Sequence, residues 1–342
     1  MSTVASDQPH ARLTPDFGRA MAEGRPLSQD MVVALSAEER ARGQLRIESQ
    51  RAAHAALRQN GCLMLPGVIP LPLVDAMYQD YLTHPGALDP RVMNELASQP
   101  VPNPIRASGK ARYEITLRMR GAFARPEVFA NPLLRSVLAP LLGADMQLNS
   151  FTVVVSYPGA TVQQIHRDHG HLFASEPGIG PNLPVYAVNV VVPLIDVDLR
   201  TGPTAVWPGS HRWPSNIQAE PDGMRAVPLN RGDCMLLDYR TLHTGLPNQG
   251  ERVRPILYMV YARGWFCDDA THFGVNSPDM SLEDYNNVHE PARVALFRAL
   301  SQAVRKPGSQ TAGVVPAPSP ARASDDPASW GKVGRNDPCP CG

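Results

Sequence analysis

The sequence lacks an excess of charge of either sign, and it has very little lysine. Asp and Glu together number 32, as do Lys and Arg, so the formal net charge is zero. A balanced charge gives no electrostatic reason to expect nucleic acid or an anionic membrane surface as the main partner. Only three of the 32 basic residues are lysines. The arginine excess supplies forked donors for anionic ligands or reflects a GC-rich coding sequence, and composition alone does not separate the two.

Long apolar runs and a disulfide framework are also missing. No run approaches the roughly 20 apolar residues that a bilayer span needs, and the first 30 residues show no secretory leader. Five cysteines are an odd number in a chain of 342 residues, which argues against a disulfide scaffold. We therefore expect a cytoplasmic protein without a membrane partner. The 43% apolar content suffices for a sizeable core in one large domain or two small ones.

Composition and pattern divide the chain into four parts. They are a flexible N-terminal arm (1–35), a main domain (36–304), a Pro/Ala/Ser-rich linker (305–330) and a short tail with two cysteines (331–342). Helices are predicted mainly at the ends of the main domain. A capping box at residues 36–39 predicts a helix that continues to Asn60-Gly61, a second helix follows Pro72, and a last one follows Pro291.

The middle of the main domain, about residues 112–265, has the pattern of a β-rich core. A helix is predicted at about 126–141. Apolar and β-branched runs predict short strands at 113–119, 146–157, 185–197, 205–207, 225–229, 234–239 and 252–261. A parallel α/β sheet would need helices between the strands, and residues 146–262 leave no room for them. The pattern therefore indicates an all-β barrel or sandwich with helical flanks.

The densest group of metal-ligating residue types follows the second of these strands. In an extended chain His166 and Asp168 lie on the same face, and His243, just past a later apolar strand, is the best third ligand. Two imidazoles and one carboxylate leave three positions of an octahedral ion open, which suits Fe(II) with O₂ and a bidentate co-substrate. Zinc in a hydrolase would instead use three ligands and one water.

Arg254 lies eleven positions after His243 on the last predicted strand, with Ile256, Tyr258 and Val260 as its inward neighbours. A buried arginine on an apolar face needs a carboxylate partner. The distal carboxylate of 2-oxoglutarate would be such a partner, held by two parallel N–H bonds.

Together these motifs resemble the phytanoyl-CoA hydroxylase-like (PhyH) family of Fe(II)/2-oxoglutarate-dependent dioxygenases. The resemblance covers about residues 50–270. It is carried, in order, by His166-Arg-Asp168, the Gly202–His211 segment containing Pro-Gly-Ser-His, Arg231-Gly-Asp233, His243-Thr-Gly245, Asn248, Arg254 and the closing segment 258–266. The HxD pair alone is weak, whereas the whole set at this spacing and order is a strong signal.

The resemblance implies a double-stranded β-helix (jelly-roll, cupin-like) core with N- and C-terminal helices. It implies Fe(II) ligation by His166, Asp168 and His243, and 2-oxoglutarate binding by Arg254. Further co-substrate contacts are implied at Gln164, Asn189 and Thr204. A hydroxyl near the distal histidine helps in some members, and either Thr244 or Thr241 would supply it here.

The implied reaction is oxidation of an unactivated C–H bond of a small organic molecule, with release of succinate and CO₂. Hydroxylation is the default outcome, and desaturation, ring closure and epimerisation stay open. Asp168 disfavours halogenation, because related halogenases have a small residue there. The competing hypotheses are a metal-dependent hydrolase or isomerase at the same triad, and a non-catalytic binding protein. The oligomeric state stays open.

The tail carries a second, shorter resemblance. Residues 334–342 are similar to the first half of the zinc motif at the C-terminus of the SecA ATPase (SEC-C). Cys339 and Cys341 supply two of the four ligands of a structural zinc site. Zinc binding would therefore need a longer chain or two chains that share an ion. The tail could also dock a partner protein.

Overall fold

The computed structural model describes part of the chain. The described residues are 25–100, 103–173, 178–214, 219–267, 277–289 and the single positions 176, 217, 292 and 296. All belong to the first of two units, residues 1–303 and 304–342. The predicted linker and tail, the first 24 residues of the predicted arm and nearly all of the predicted helix after Pro291 lie outside the described residues. No helix in the described part of the chain is long and apolar enough to cross a bilayer.

Among the described residues, six of the seven α-helices precede residue 147, and the seventh follows residue 262. They are α1 (Ala37–Arg42), α2 (Ile47–Asn60), α3 (Leu71–Leu82), α4 (Pro90–Ala97), α5 (Pro126–Phe129), α6 (Pro132–Leu142) and α7 (Leu282–Asn286). The predicted capping box starts α1, because Ser36 and Glu39 each bond the other's backbone N–H. The single helix predicted between this box and Gly61 is two helices, since Gly43 takes the left-handed conformation and ends α1.

The described end of the predicted arm is packed rather than loose. Met31, Val33 and Leu35 are buried, and the backbone N–H of Val33 donates to the carbonyl of Met64 at 3.0 Å. Met64 belongs to an edge strand, so this segment covers backbone groups that would otherwise stay unpaired. Residues 31–35 are all apolar, but the run is too short to stand out from the polar residues before it.

Ten strands among the described residues form two sheets in which every pair of neighbours is antiparallel. The strands are β1 (Cys62–Leu65), β2 (Ile105–Gly109), β3 (Arg112–Ile115), β4 (Gln147–Ser156), β5 (Ala187–Pro193), β6 (Thr204–Val206), β7 (Arg225–Val227), β8 (Cys234–Asp238), β9 (His243–Gly245) and β10 (Arg254–Ala262). The large sheet has the order β1-β8-β5-β10-β4-β3-β2 and the small one β7-β6-β9. This arrangement confirms the predicted β-rich core with flanking helices.

The two faces of the large sheet meet different neighbours. On β10, Leu257, Met259 and Tyr261 join the main apolar cluster with residues of α2, α3 and α6. Ile256, on the opposite face, joins a second cluster with Val206 of the small sheet. Because side chains alternate along a strand, the helices cover one face and the small sheet covers part of the other.

Towards β3 and β4, the inner face of the large sheet becomes polar. On the face of β4 that the helices cover, Phe151, Val153 and Val155 belong to the main apolar cluster. The residues that alternate with them on the inner face include the buried Ser150 and Thr152. Buried hydroxyls on a sheet face cost free energy unless they find hydrogen-bond partners. The polar stretch therefore marks the place where the sandwich opens into a cavity rather than a packed core.

Candidate metal centre

The two histidines of the predicted triad meet through their backbones. His243 is the first residue of β9, and His166 lies on the irregular segment after β4. The N–H of His166 donates to the carbonyl of His243 at 3.0 Å, and the N–H of His243 donates back at 2.9 Å. This antiparallel bridge brings the two imidazoles side by side, with ring centroids 4.3 Å apart.

Each imidazole is oriented by a carbonyl two residues before it. Nδ1 of His166 lies 2.7 Å from the carbonyl oxygen of Gln164, and Nδ1 of His243 lies 3.0 Å from that of Thr241. A carbonyl only accepts, so the neutral form of each imidazole carries its proton on Nδ1 and has a free lone pair on Nε2. Burial, reinforced by the neighbouring His243, lowers the pKa of His166 to about 4. His166 is therefore neutral at physiological pH, as a metal ligand must be.

Asp168 completes the triad. Its Oδ1 lies 3.9 Å from Nε2 of His166 and 3.5 Å from Nε2 of His243. The other oxygen, Oδ2, accepts a hydrogen bond of 3.0 Å from the side-chain amide of Asn189 on β5. The two carboxylate oxygens therefore have different neighbours. Oδ2 is bonded to Asn189, and Oδ1 is the oxygen near the imidazoles. Ligand atoms of the three residues all lie within 4.8 Å of one another.

The donor set fits a single iron(II) ion. Two imidazole nitrogens and one carboxylate oxygen could bind one ion together, and an octahedral ion held by these three atoms would keep three positions for other ligands. The chain thus brings together the three residues that the sequence proposed. That they bind iron stays a prediction, and zinc uses the same donor types.

Arg167 lies between His166 and Asp168, and its side chain bonds backbone carbonyls in the segments that follow β6 and precede β9. Its Nε donates to the carbonyl of Arg240 at 2.8 Å, and its Nη2 donates to the carbonyls of Ser210 and Trp213 at 3.0 and 3.2 Å. Ser210 belongs to the Pro-Gly-Ser-His turn. This turn therefore acts on the centre through Arg167, by fixing the segment that carries His166 and Asp168.

The triad faces a cavity of about 450 Å³. Three of the predicted co-substrate residues, Gln164, Asn189 and Thr204, line it together with the triad. The hydroxyl of Thr204 lies 2.9 Å from that of Tyr258, which also lines the cavity. Their role in binding a co-substrate stays a prediction.

Neither of the two alternative threonines near His243 lines this cavity. The hydroxyl of Thr241 donates to the carbonyl of Gly61 at 2.9 Å, and that of Thr244 donates to the carbonyl of Gln163 at 2.6 Å. Both hydroxyls thus bond the backbone of neighbouring segments.

Arg254 is buried beside the cavity rather than on its open surface. It is 1% exposed, and its Nε and Nη2 have no hydrogen-bond partner among the described residues. Burial lowers its pKa, and its charge interacts with Tyr258, which lines the cavity. A buried cation with unpaired donors is unfavourable unless a ligand supplies the missing acceptor.

A second arginine, which the sequence analysis missed, lies next to Arg254. Arg112 on β3 and Arg254 on β10 both pair with Ser156 of β4, one from each side. Arg112 is also 1% exposed and lines the cavity, and its Nε has no partner among the described residues. Burial, and then the charge of Arg254, lower the pKa of Arg112 to about 9. The two guanidinium groups thus repel each other, and no carboxylate of the described residues forms an ion pair with either.

A glycine makes room for this second arginine. A Cβ added to Gly245 would lie 2.5 Å from Nη1 of Arg112, so any other residue two positions after His243 would require this guanidinium to shift. Nη2 of Arg112 donates to the carbonyls of Thr161 and Leu246 at 3.1 and 2.8 Å. The sequence signal for Arg112 was therefore indirect. It consists of Gly245, two residues after His243, and of β3, which begins at Arg112 and thus one residue before the predicted strand.

Comparisons with known proteins match more than half of this chain to one family. A sequence model of the family described as Phytanoyl-CoA dioxygenase (PhyH) matches residues 57–256, which include the triad and Arg254. Dioxygenase aneA of Aspergillus aculeatus is 33% identical over 136 residues, or 37% of this chain and 44% of that protein. Iron/alpha-ketoglutarate-dependent dioxygenase ausO of Aspergillus calidoustus is 29% identical over 164 residues, or 44% and 53%. The chain thus spans about half the length of these relatives.

Among solved structures, AviO1 from Streptomyces viridochromogenes Tue57 is similar with a TM-score of 0.48 and 19% identity, over 64% of this chain and 97% of that one. The family match rests on sequence and extends over more than half of the chain. This protein belongs to the phytanoyl-CoA dioxygenase (PhyH) family.

Proposed function

We propose that this protein is an iron(II)- and 2-oxoglutarate-dependent dioxygenase that hydroxylates a C–H bond of a small organic molecule. One atom of O₂ goes to the substrate and the other to succinate, with release of CO₂. Family membership and the name of the relative ausO support this reaction class. The observation that carries the proposal is the pair of buried, mutually repelling arginines beside a His-Asp-His triad.

The arginine pair favours a dianionic co-substrate over the alternatives. Iron(II) held by the triad supplies the oxygen-activating chemistry of this class when it is bound. Arg254, with Arg112 beside it, would hold the distal carboxylate of 2-oxoglutarate, and the triad would hold the metal that its other end binds. Both guanidinium groups then gain an acceptor of opposite charge, and their mutual repulsion is offset. A hydrolase or isomerase at the same triad would need this pair only for an anionic substrate.

The other residues of the centre position groups rather than react. Asn189 fixes the Asp168 carboxylate, and the carbonyls of Gln164 and Thr241 fix the imidazoles. Thr204 and Tyr258 form a hydroxyl pair on the cavity wall that can accept and donate hydrogen bonds to the co-substrate. The presence of Asp168 in the ligand cluster supports hydroxylation over halogenation.

Succinate formation by the purified protein tests the proposal. Candidate substrates are incubated with Fe(II), 2-oxoglutarate and O₂, and each component is left out in turn. We expect succinate only with all three components, and loss of its formation in His243→Ala. The control is His289→Ala, an exposed histidine away from the cavity, which should keep full activity. Turnover that persists without O₂ and 2-oxoglutarate would establish the hydrolase or isomerase instead.

Two further parts of the proposal concern location and the tail. Cys62 and Cys234 are buried free thiols, which supports a reducing compartment and hence a cytoplasmic location. Fractionation of cells that express the tagged protein would test this. We also propose that residues 331–342 dock a partner. A pull-down with and without these residues would test that proposal, and equal capture by both forms would remove it.

A further inference from the structure

The cavity has a polar side that neither the triad nor the predicted co-substrate contacts use. Five residues on the inner face of β2, β3 and β4 form it, and we call them the polar wall: Arg106, Ser108, Glu114, Ser150 and Thr152. The triad lines the same cavity. A molecule positioned for oxidation at the triad would therefore contact the polar wall.

The hydroxyls of the polar wall are incompletely bonded. Ser150 and Thr152 are buried, and their hydroxyls lie 3.3 Å apart and bond each other. The hydroxyl of Ser108 has no partner among the described residues although it is shielded from solvent. A hydroxyl offers one donor and two acceptor sites, so this wall keeps unused hydrogen-bonding capacity. An aliphatic chain laid against it would leave that capacity unsatisfied, which is unfavourable in a buried place.

The charges of the polar wall cancel. Arg106 and Glu114 lie opposite each other on β2 and β3 and form an ion pair. The Glu114 side chain is 16% exposed and that of Arg106 is 56% exposed, so the cationic member lies towards the rim. The wall thus offers no unpaired cation to a phosphate group and no unpaired carboxylate to an amine.

Two apolar residues that pair with members of the polar wall add apolar surface to the cavity. Val154 pairs with Glu114 across β3 and β4, and Val260 pairs with Ser150 across β10 and β4. Both line the cavity, so carbon surface lies next to the hydroxyls. A volume of about 450 Å³, which the co-substrate must share, is small among ligand pockets.

We infer that the substrate is a neutral, compact molecule with several hydroxyl or carbonyl oxygens along one edge and a carbon face beside them. Hydrogen bonds from that edge to Ser108, Ser150 and Thr152 present its carbon face to the triad. The inference rests on the proposed function, because it assumes that the molecule at the polar wall is the one oxidised. It excludes an acyl-CoA, which carries phosphates and a long chain, as the substrate.

Binding in the absence of O₂ tests this inference separately from turnover. Anaerobic calorimetry of the Fe(II)-loaded protein first measures the affinity for 2-oxoglutarate. The complex is then titrated with three probes: cyclohexane-1,3,5-triol, cyclohexanol and decanoyl-CoA. We expect the triol to bind about 4- to 140-fold more tightly than cyclohexanol, since it offers two more hydrogen bonds and each contributes about 2- to 12-fold in affinity. We expect no binding of decanoyl-CoA.

The double variant Ser150→Ala/Thr152→Val removes two hydroxyls with little change of shape. It should reduce the preference for the triol over cyclohexanol to about 3-fold or less while the affinity for 2-oxoglutarate is unchanged. The unchanged co-substrate affinity shows that the variant folds. The control, Thr83→Val/Ser98→Ala, removes the same two groups from exposed positions and should keep the preference.

A second variant tests the neutrality of the wall. Glu114→Gln leaves Arg106 without its partner, so quinate, a polyhydroxylated carboxylate, should gain at least about 5-fold in affinity. The inference is overturned if no triol binding is detected, if decanoyl-CoA binds, or if the double variant keeps the preference. Failure of 2-oxoglutarate to bind, with the triol preference intact, would instead count against the proposed function alone.

Discussion

Replacing Arg254 by methionine should make the free protein more stable and the co-substrate complex much weaker. Arg254 is fully buried, two of its nitrogens lack a partner among the described residues, and Arg112 repels it. Replacing buried charges by apolar side chains of similar volume is neutral or stabilising by about 1–4 kcal/mol. Truncating one partner of a buried charged pair costs about 2–5 kcal/mol, so the Kd for 2-oxoglutarate should rise by about 30- to 4000-fold.

Urea unfolding with and without 2-oxoglutarate measures both effects. At 100 times its Kd the co-substrate should raise the free energy of unfolding of the unsubstituted protein by about 2.7 kcal/mol. The variant should start from an equal or higher value and gain nothing at the same concentration. Arg252→Met is the matched control, since Arg252 is exposed two residues earlier. A variant that is destabilised on its own, yet gains as much from 2-oxoglutarate, would refute the reasoning.

Three other changes test the centre and the fold. Asn189→Ala should weaken Fe(II) binding by about 10- to 100-fold, because Oδ2 of Asp168 loses its donor; unchanged affinity in an anaerobic titration would contradict this role. Burial alone would raise the pKa of Glu39, but hydrogen bonds from Ser49 and from two backbone N–H groups outweigh it and lower the pKa to about 2. Because its folded pKa is depressed, Glu39 stabilises the fold above about pH 4.5, and this contribution is lost as the pH falls towards 2. Glu39→Gln should therefore cost about 1–3 kcal/mol in urea unfolding at pH 7 and clearly less at pH 3, and an equal cost at both would be inconsistent with this pKa. Leu257→Ala, in the core behind the cavity, should cost about 2–5 kcal/mol without weakening 2-oxoglutarate binding, and a cost under 1 kcal/mol would contradict its packing.

The parts of the fold that the sequence predicts are those with local signals. The capping box at Ser36, the left-handed glycine at Gly61 and the apolar alternation of β4 and β10 each leave a pattern within a few residues. Such local patterns made it possible to predict the β-rich core, which the two sheets confirm, and the family, which the family match confirms. The break at Gly43 was missed because helical residues continue on both sides of it, and glycine within a helical pattern is only weakly disfavoured.

The centre was predictable where residue type and spacing carry the chemistry. His166, Asp168 and His243 are recognisable as ligand types, and the structure brings them together. Arg112 was not recognisable, because its importance depends on the register that places it across Ser156 from Arg254. Asn189 lines the cavity, where it was predicted as a co-substrate contact, and its amide nitrogen also bonds Asp168, which was not predicted. Register and side-chain orientation arise from tertiary pairing, which short-range patterns do not contain.

The reciprocal backbone bridge between His166 and His243 separates the chemistry of the protein from its choice of substrate. Peptide groups, which nearly every residue type carries, set the relative position of the two imidazoles. The polar wall lies on β2, β3 and β4, strands that take no part in this bridge. Side chains there can be exchanged without moving the ligands. A family built in this way can diversify its substrates through a few replacements while the oxidation itself is inherited unchanged.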